Sequence, residues 1–435
     1  MMSRVKSLLM LALMVTCFLS EKAYATHAMG GDITYQCLGN NQYLLTLKFY
    51  RDCNGIPAPV GGSDLVFKIT SPDCNANFTA SFIPIPDSTE IITPICFAAV
   101  DRCTSTSGVF GIEKYVYQYT LDLSSYNGCG DDWSLEWDYC CRNNAITSLQ
   151  SPGSQQIYLN TTIDNTIGTN NHSPEFRNEP TPFGCVLQEM TYNHGVRDLD
   201  GDSLVFSLAP ARTVNGNTIT YASGYSASQP IKTTTGVQID PQTGSLTFTP
   251  SVQQVAVVSV LVEEYRNGVK INELIRDVQF SIVQCTNFLP TVSGFDSTDM
   301  FTIDACVGDT VCYTFYSDDA DPGDSVYLSW NQGIVGAVFT TTNGSDLMAK
   351  ATLCWVPTSS NIGPNLFSIT ARDNACDLNG VSSFGYKIQV FPSKDAELPQ
   401  DFSVCSDTSV TISGNLPKGT VNSRWNVSGV MADTM

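Results

Sequence analysis

The chain has 435 residues, too long for a single hydrophobic core, so its length predicts two to four domains. It carries 42 acidic and 22 basic residues, and its formal net charge is −20 at pH 7. That balance argues against nucleic acid, whose phosphates need basic partners, and against electrostatic docking on anionic lipid. Frequent Thr, Val and Tyr residues without long helical periods predict an all-β protein.

The first 25 residues are predicted to be a signal peptide. A short basic region and an apolar segment at 8–19 precede Ala23-Tyr24-Ala25, a small-x-small cleavage pattern, so residues 1–25 would be removed. No later apolar run has the length of a membrane helix, and no membrane span is expected after signal removal. The mature protein is therefore expected to be secreted or held at the cell surface.

Residues 26–175 are predicted to form a cysteine-rich β domain. Alternating segments flank Gly39-Asn40-Asn41, which is typical of a β-hairpin turn. Further strands are expected at 65–70, 115–123 and 133–137, and 156–160 is a candidate edge strand.

Two similar modules are expected to follow. Residues 183–285 and 291–392 each contain short, regularly spaced strand segments without helical periodicity, which favours two β-sandwiches. Residues 396–435 resemble the start of a further module that stops short, so we expect the sequence to be a piece of a longer protein.

Cysteines in an exported chain are expected to form disulfides. Each predicted segment holds an even number of them, which favours bonds within segments, and Cys405 is left with a partner expected beyond residue 435. Adjacent Cys140 and Cys141 are expected to bond different strands, because a ring between neighbours is strained. The candidate disulfide cysteines, with their pairing open, are Cys37, Cys53, Cys74, Cys96, Cys103, Cys129, Cys140, Cys141, Cys185, Cys285, Cys306, Cys312, Cys354 and Cys376.

An acidic loop opens the first sandwich. Asp198, Asp200 and Asp202 alternate along it, and Glu263 lies on a neighbouring predicted strand, so these four residues are candidate calcium ligands. Calcium takes six to eight oxygens in a flexible shell. The alternative interpretation is a solvated turn whose carboxylates cap backbone amides.

A looser copy of this loop opens the second sandwich, with Asp318, Asp321 and Asp324. Pro322 alters its spacing, so a metal is less expected there than in the first loop. The three histidines, His27, His172 and His194, are too scattered to predict a zinc site.

Three segments resemble the amino-terminal region of large exported surface proteins of gliding bacteria, the gliding-motility-associated or PKD-repeat proteins: HAMGGDITY at 27–35, YRDCNG at 50–55 and WDYCCRN at 137–143. The modules after them resemble cadherin-like and immunoglobulin-like repeats, with DLDGDSL at 198–204 matching their D-x-D-G-D-x-L loop. The tail at 396–435 resembles a PKD repeat. The resemblance implies calcium-stiffened joints, and it makes the type IX secretion machinery a partner only if a sorting domain follows residue 435.

Catalytic motifs are missing from the sequence: it has no G-x-S-x-G, H-E-x-x-H or phosphate-binding glycine loop. We therefore expect a non-catalytic adhesin-like or structural repeat protein, gliding-motility associated by resemblance, with an extracellular glycan or protein as its ligand. The alternative is a polysaccharide-binding or glycan-hydrolysing protein, for which acidic pairs such as Asp131–Asp132 and a tyrosine ladder of Tyr115, Tyr117 and Tyr119 are the candidates. Burial of that ladder in a sheet core is the favoured interpretation.

Overall fold

The computed structural model describes residues 28–126, 128–166, 171–180 and 183–392, and it confirms the predicted all-β fold. The predicted signal peptide, His27, and the tail at 396–435 with Cys405 lie outside these residues. Among the described residues, no helix is long and apolar enough to cross a membrane. Single 3-10 turns occur at Gly62–Leu65, Ser124–Tyr126, Pro152–Ser154, Val214–Gly216, Phe295–Ser297 and Ser359–Asn361.

The first unit contains nine strands: β1 (Ala28–Gly39), β2 (Gln42–Asp52), β3 (Val66–Ser71), β4 (Ala76–Ser81), β5 (Ile83–Pro84), β6 (Glu90–Ile91), β7 (Ile112–Asp122), β8 (Trp133–Tyr139) and β9 (Ile157–Ile163). They form two sheet halves, β4–β3–β8–β9 and β1–β2–β7–β5. Alternate residues of β2, β3, β7 and β8 fill the core between them, among them Leu47, Phe49, Phe67, Tyr117, Trp133 and Trp137.

The predicted hairpin is present as β1 and β2. Gly39 pairs with Gln42 across the turn, and Asn40 and Asn41 have φ values of 53° and 57°. Asparagine tolerates this left-handed conformation, which explains the turn residues. By contrast, the segment at 156–160 is no edge strand, because β9 lies between β8 and a strand of the next unit.

The second unit contains β10 (Glu175–Phe176), β11 (Phe183–Cys185), β12 (Met190–Asn193), β13 (Val196–Arg197), β14 (Ser203–Ala209), β15 (Gln238–Ile239), β16 (Ser245–Phe248), β17 (Gln254–Arg266) and β18 (Val269–Val283). The sheets β14–β17–β18 and β12–β16–β15 enclose a core that includes Phe206, Phe248 and Phe280. Short β10 pairs with β13 beside them.

The third unit contains β19 (Thr291–Val292), β20 (Thr302–Cys306), β21 (Val311–Asp318), β22 (Tyr327–Trp330), β23 (Val338–Thr341), β24 (Lys350–Trp355), β25 (Gly363–Arg372) and β26 (Val381–Phe391). They form two four-stranded sheets, β19–β21–β24–β23 and β20–β26–β25–β22. Phe295, Phe315, Phe367 and Tyr386 pack together between these sheets, with ring centroids 4.8–6.2 Å apart.

Strand β18 joins the first two units into one sheet. Along one edge it pairs with β17, and along the other it pairs in turn with β9, β1 and β11. Gly30 of β1 has a φ of 154°, and a Cβ there would overlap the backbone carbonyl of Asp277 in β18. Glycine at this position therefore permits the close approach of the two backbones.

Six disulfides connect described residues: Cys53–Cys103, Cys74–Cys129, Cys96–Cys376, Cys140–Cys141, Cys185–Cys285 and Cys312–Cys354. Two of them depart from the sequence analysis. Cys96–Cys376 crosses from the first unit to the third, because the third sandwich packs back against the loop that carries Cys96. Cys140 and Cys141 bond each other, while nearby loop cysteines pair as Cys53–Cys103 and Cys74–Cys129. Six bonds indicate an oxidising compartment.

Candidate metal centre

The acidic loop between β13 and β14 is a tight turn built on Asp198. Its Oδ1 accepts the backbone N–H groups of Asp200 at 3.0 Å and Asp202 at 2.8 Å, and Gly201 supplies the left-handed φ of 81°. This part agrees with the simpler interpretation of the loop, a turn with carboxylate caps. It leaves the second oxygen of Asp198 free to face inward.

Four carboxylates converge beneath the loop. One oxygen from each of Asp198, Asp200, Asp202 and Glu264 lies within 4.8 Å of the others. Two oxygens on one calcium ion are at most about 5 Å apart, because each lies about 2.3–2.6 Å from the ion. The cluster therefore has the spacing and the ligand type of a calcium site.

Two oxygens of the cluster are buried and have no hydrogen-bond partner among the described residues. Glu264 is 0% exposed, and its Oε1 and the Oδ2 of Asp198 accept no hydrogen bond from the described residues. Asn272 donates only to the other oxygen of Glu264, at 3.1 Å. Buried polar atoms are nearly always satisfied in native proteins, so these oxygens fit a bound cation.

Burial raises the pKa of both inward carboxyls. The pKa of Glu264 rises to about 9, first through loss of hydration and then through the negative charge of Asp198. The pKa of Asp198 rises to about 7, again mainly through burial. Without a cation, Glu264 holds a proton at neutral pH, which relieves repulsion among the four acids.

Glu263, the fourth ligand named from the sequence, does not belong to the cluster. Successive residues of a strand face opposite sides of the sheet, so Glu263 and Glu264 diverge. Glu263 instead pairs with Lys270 at 3.4 Å on the surface, whereas Glu264 lies opposite Leu204 in β14 and points inward. The glutamate of the cluster is therefore Glu264, one residue after the predicted Glu263.

The cluster also fastens the segment that leads into the second unit. The backbone N–H of His172 donates to Asp200 at 2.6 Å, and its ring Nδ1 lies 3.1 Å from the same carboxylate. Arg266 pairs with Asp202 through Nε at 2.9 Å and donates to Asn171 at 2.6 Å. One guanidinium thus faces four carboxylates, which leaves the group acidic when all are ionised.

The second acidic loop also differs from its expected ligand set. The residues that converge are Asp319, Asp324 and Asp373, so Asp318 and Asp321 lie elsewhere. Asp321 accepts the backbone N–H of Phe288 at 2.6 Å, which ties the linker before the third unit to this loop. Both Asp373 oxygens accept hydrogen bonds from protein donors, whereas the buried Oδ2 of Asp319 accepts none from the described residues.

A buried charge network joins the units at β18, and sequence reasoning missed it. Arg276 donates through Nη2 to the Tyr50 hydroxyl at 3.1 Å and to the Asn178 carbonyl at 2.9 Å. Its Nε lies 3.4 Å from the fully buried Asp32 carboxylate, and its guanidinium lies 4.7 Å from the Phe176 ring centre. The first unit, the linker and the second sandwich all meet at this side chain.

The tyrosines and aspartates considered as candidates for sugar binding or hydrolysis contribute to the fold of the first unit. Tyr117 is buried in the first core, and Tyr115 and Tyr119 pack against that core. Asp132 accepts hydrogen bonds from the Ser71 hydroxyl and, at 3.1 Å, from the Asp73 amide. The tyrosine ladder is therefore part of a filled sandwich, and Asp132 caps a loop.

No protein-family model matches the chain, and the comparison with curated proteins gives no match. Solved structures that are similar to it include the S-layer protein SbsC, domains 4 and 5, at 15% identity and TM-score 0.16, covering 47% of this chain and 92% of that chain. Zebrafish RET cadherin-like domains 1 to 4 match at 11% identity and TM-score 0.17, covering 72% and 70%. An endo-fucoidan hydrolase from glycoside hydrolase family 107 matches at 10% identity and TM-score 0.17, covering 80% of this chain and 42% of that chain. At scores of this size, these similarities do not bear on the activity of this chain.

Proposed function

We propose that this protein is a non-catalytic extracellular adhesin-like or structural protein, in which three β units form one braced body. The observation that supports the proposal is that the three units are joined to one another by a shared sheet and a disulfide. The first two units share a sheet through β18, and Cys96–Cys376 ties the first unit to the third. A disulfide-closed β body of this kind suits presentation of a fixed surface to an extracellular glycan or protein.

Calcium is proposed as the cation of the acidic cluster. The calcium ligands would be Asp198, Asp200, Asp202 and Glu264. The two buried oxygens without a hydrogen bond, Oδ2 of Asp198 and Oε1 of Glu264, would be among the atoms that bind the ion. The cation would neutralise the cluster and hold the loop, while Asp200 keeps its hydrogen bond to His172 in the preceding segment. Its role in this proposal is to stiffen the joint between the first and second units.

The alternative, glycan hydrolysis, has weaker support in the arrangement of the acids. Glycosidases place two carboxyls about 5–10 Å apart across an open sugar site. Here Glu264 is fully buried beside three aspartates, and Asp132 is held by loop donors.

The proposal is tested by incubating the full chain with a panel of polysaccharides and peptides while measuring both retention and product release. We expect retention of a ligand without new reducing ends or new amines. Release of products that is abolished by a single carboxylate substitution, such as Asp132→Asn, would show that the protein is a hydrolase.

A further inference from the structure

A polar cleft lies where the linker between the first two units meets the third sandwich. It has two adjoining parts, with cavity volumes of about 370 Å³ and 350 Å³. Arg177, Trp330 and Asn331 line both parts, so the two are continuous. The acidic cluster described above is not part of this cleft.

The cleft collects basic side chains in a chain that is otherwise strongly acidic. Lys48, Arg177 and Arg372 line it, although the sequence has 42 acidic and only 22 basic residues. Of the two acids at its wall, Glu179 pairs with Lys114 at 2.7 Å. The other, Glu175, accepts a hydrogen bond from the Nε of Arg177 at 3.1 Å.

Both guanidinium groups keep unused donors. Glu175 orients Arg177 through Nε, and no described residue accepts from its two Nη atoms. Arg372 is fixed by Asn379 through Nε at 2.8 Å and by the Ile95 carbonyl through Nη2 at 2.8 Å, and no described residue accepts from its Nη1. The two unused Nη atoms of Arg177 form a fork that matches the geometry of carboxylate and sulfate oxygens, and the Nη1 of Arg372 offers a further donor.

The rest of the wall suits a sugar. Trp330 is half-buried at the point where both parts meet, and Phe339 stacks on it with centroids 5.3 Å apart. An indole held in this way offers a flat apolar surface to the C–H groups of a sugar ring. Thr370 and Ser383 add hydroxyl groups to the floor, 3.1 Å from each other.

The walls are held rigidly in place. The Asn178 amide donates to the hydroxyls of Ser368 at 2.9 Å and Ser383 at 2.8 Å, so the linker is fixed to the third sandwich. Cys96–Cys376 holds the first unit against the same sandwich. A preformed cleft loses little conformational freedom when it binds, which favours affinity.

We propose that this cleft binds an anionic saccharide, with Arg177 and Arg372 pairing with its carboxylate or sulfate groups and Trp330 packing against a sugar ring. The inference rests on the proposed function, because it names the ligand class of an extracellular binding protein. Its test is separate from the tests of calcium binding and of product release, because neither of those measurements depends on the cleft.

The test measures binding of the full chain to immobilised polygalacturonate, dextran sulfate and neutral dextran by biolayer interferometry. The variants are Trp330→Ala and Arg177→Gln, with Arg177→Lys as the conservative change. The matched controls are Tyr316→Ala and Lys68→Gln, which remove an exposed aromatic ring and an exposed charge outside the cleft. Circular dichroism confirms that each variant is folded.

We expect at least one charged polymer to bind more tightly than neutral dextran, with affinity falling as salt rises. Trp330→Ala and Arg177→Gln should each weaken that binding by about tenfold or more, Arg177→Lys by less, and the controls by little. Tighter binding of polygalacturonate would identify a carboxylate ligand, and tighter binding of dextran sulfate would identify a sulfate ligand. Equal binding of neutral dextran, absence of binding to either charged polymer, or full affinity in folded Trp330→Ala and Arg177→Gln proteins would overturn the proposal.

Discussion

Replacement of Glu264 by glutamine is expected to abolish calcium binding without harming the fold. Near pH 7 the buried carboxyl already holds a proton in the absence of a cation, because its pKa is about 9. Glutamine has the same shape and retains an acceptor for the Asn272 amide. Glu264→Gln therefore removes a calcium ligand while leaving the calcium-free protein nearly unchanged.

The size of the calcium effect follows from mass action. Calcium modules outside cells have dissociation constants on the order of 10⁻⁴–10⁻³ M. At about 10 mM calcium and a dissociation constant of about 10⁻⁴ M, binding raises the free energy of unfolding by about 2.7 kcal/mol. The unfolding entropy is about 2.1 cal/mol/K per residue, so 1 kcal/mol moves the midpoint of one cooperative body of about 360 residues by about 1.3 °C. The expected rise is therefore about 3–4 °C.

The assay is thermal unfolding of the full chain, with calcium and with a chelator. Wild-type protein and Glu263→Gln should show the rise, because Glu263 pairs with Lys270 outside the cluster, and Glu264→Gln should not. Calorimetry in two buffers of different ionisation enthalpy should also show proton release on binding, because Glu264 must ionise to bind calcium. An unchanged wild-type midpoint, or a full rise in Glu264→Gln, would refute the proposed calcium site.

Three further predictions concern how the units are joined and how they respond to acid. Gly30→Ala should lower the free energy of unfolding, measured by urea titration, by about 2–3 kcal/mol, because the new Cβ would overlap the backbone of β18. The control Gly39→Ala, whose Cβ would contact no described atom within 4 Å, should lower it by about 1 kcal/mol. Equal losses in the two variants would contradict the prediction. The double change Cys96→Ser with Cys376→Ser should lower stability by about 2–4 kcal/mol and speed proteolysis between the units, and an unchanged cleavage rate would contradict the bracing. Burial lowers the pKa of His194 in the folded protein well below its usual value of 6.5. Below about pH 6.5 the His194 imidazole is therefore protonated in the unfolded state but stays neutral in the folded state. The free energy of unfolding should fall as the pH drops through about 6.5, by up to about 1.4 kcal/mol per pH unit. His194→Phe should remove this part of the pH dependence in denaturant titrations between about pH 5.5 and 6.5, and identical slopes for both proteins would contradict it.

Local patterns in the sequence predict local structure well here. The turn at Gly39-Asn40-Asn41 is confirmed, since it depends only on residues that accept left-handed angles and on alternation beside them. The acidic loop at 198–202 also lies where its pattern places it, between two strands. Its fourth ligand differs by one residue, because alternation shows that Glu263 and Glu264 face opposite sides but does not show which side is buried.

Long-range pairing is the part that the sequence does not reveal. Even cysteine counts predict bonds within segments, yet Cys96–Cys376 spans 280 residues. That bond depends on how the third sandwich folds back, which no local pattern encodes. One signal was available: Arg276 and Asp277 are adjacent charges in the mostly apolar stretch 274–283 of β18, and a charged pair in a buried strand indicates partners elsewhere in the fold.

Two of the three motifs that carry the sequence resemblance contain residues that contact β18. In HAMGGDITY, Gly30 admits the backbone of β18 and Asp32 faces Arg276. In WDYCCRN, Arg142 donates to both oxygens of Asp277 at 2.8 Å, and both side chains are 1% exposed. Loss of one partner from a buried ion pair is strongly destabilising. These motif residues therefore stabilise the contact between the first unit and β18. The half-buried cleft residues Arg177 and Trp330 lie outside the three motifs, so the residues of the proposed ligand cleft are separate from those that join the units.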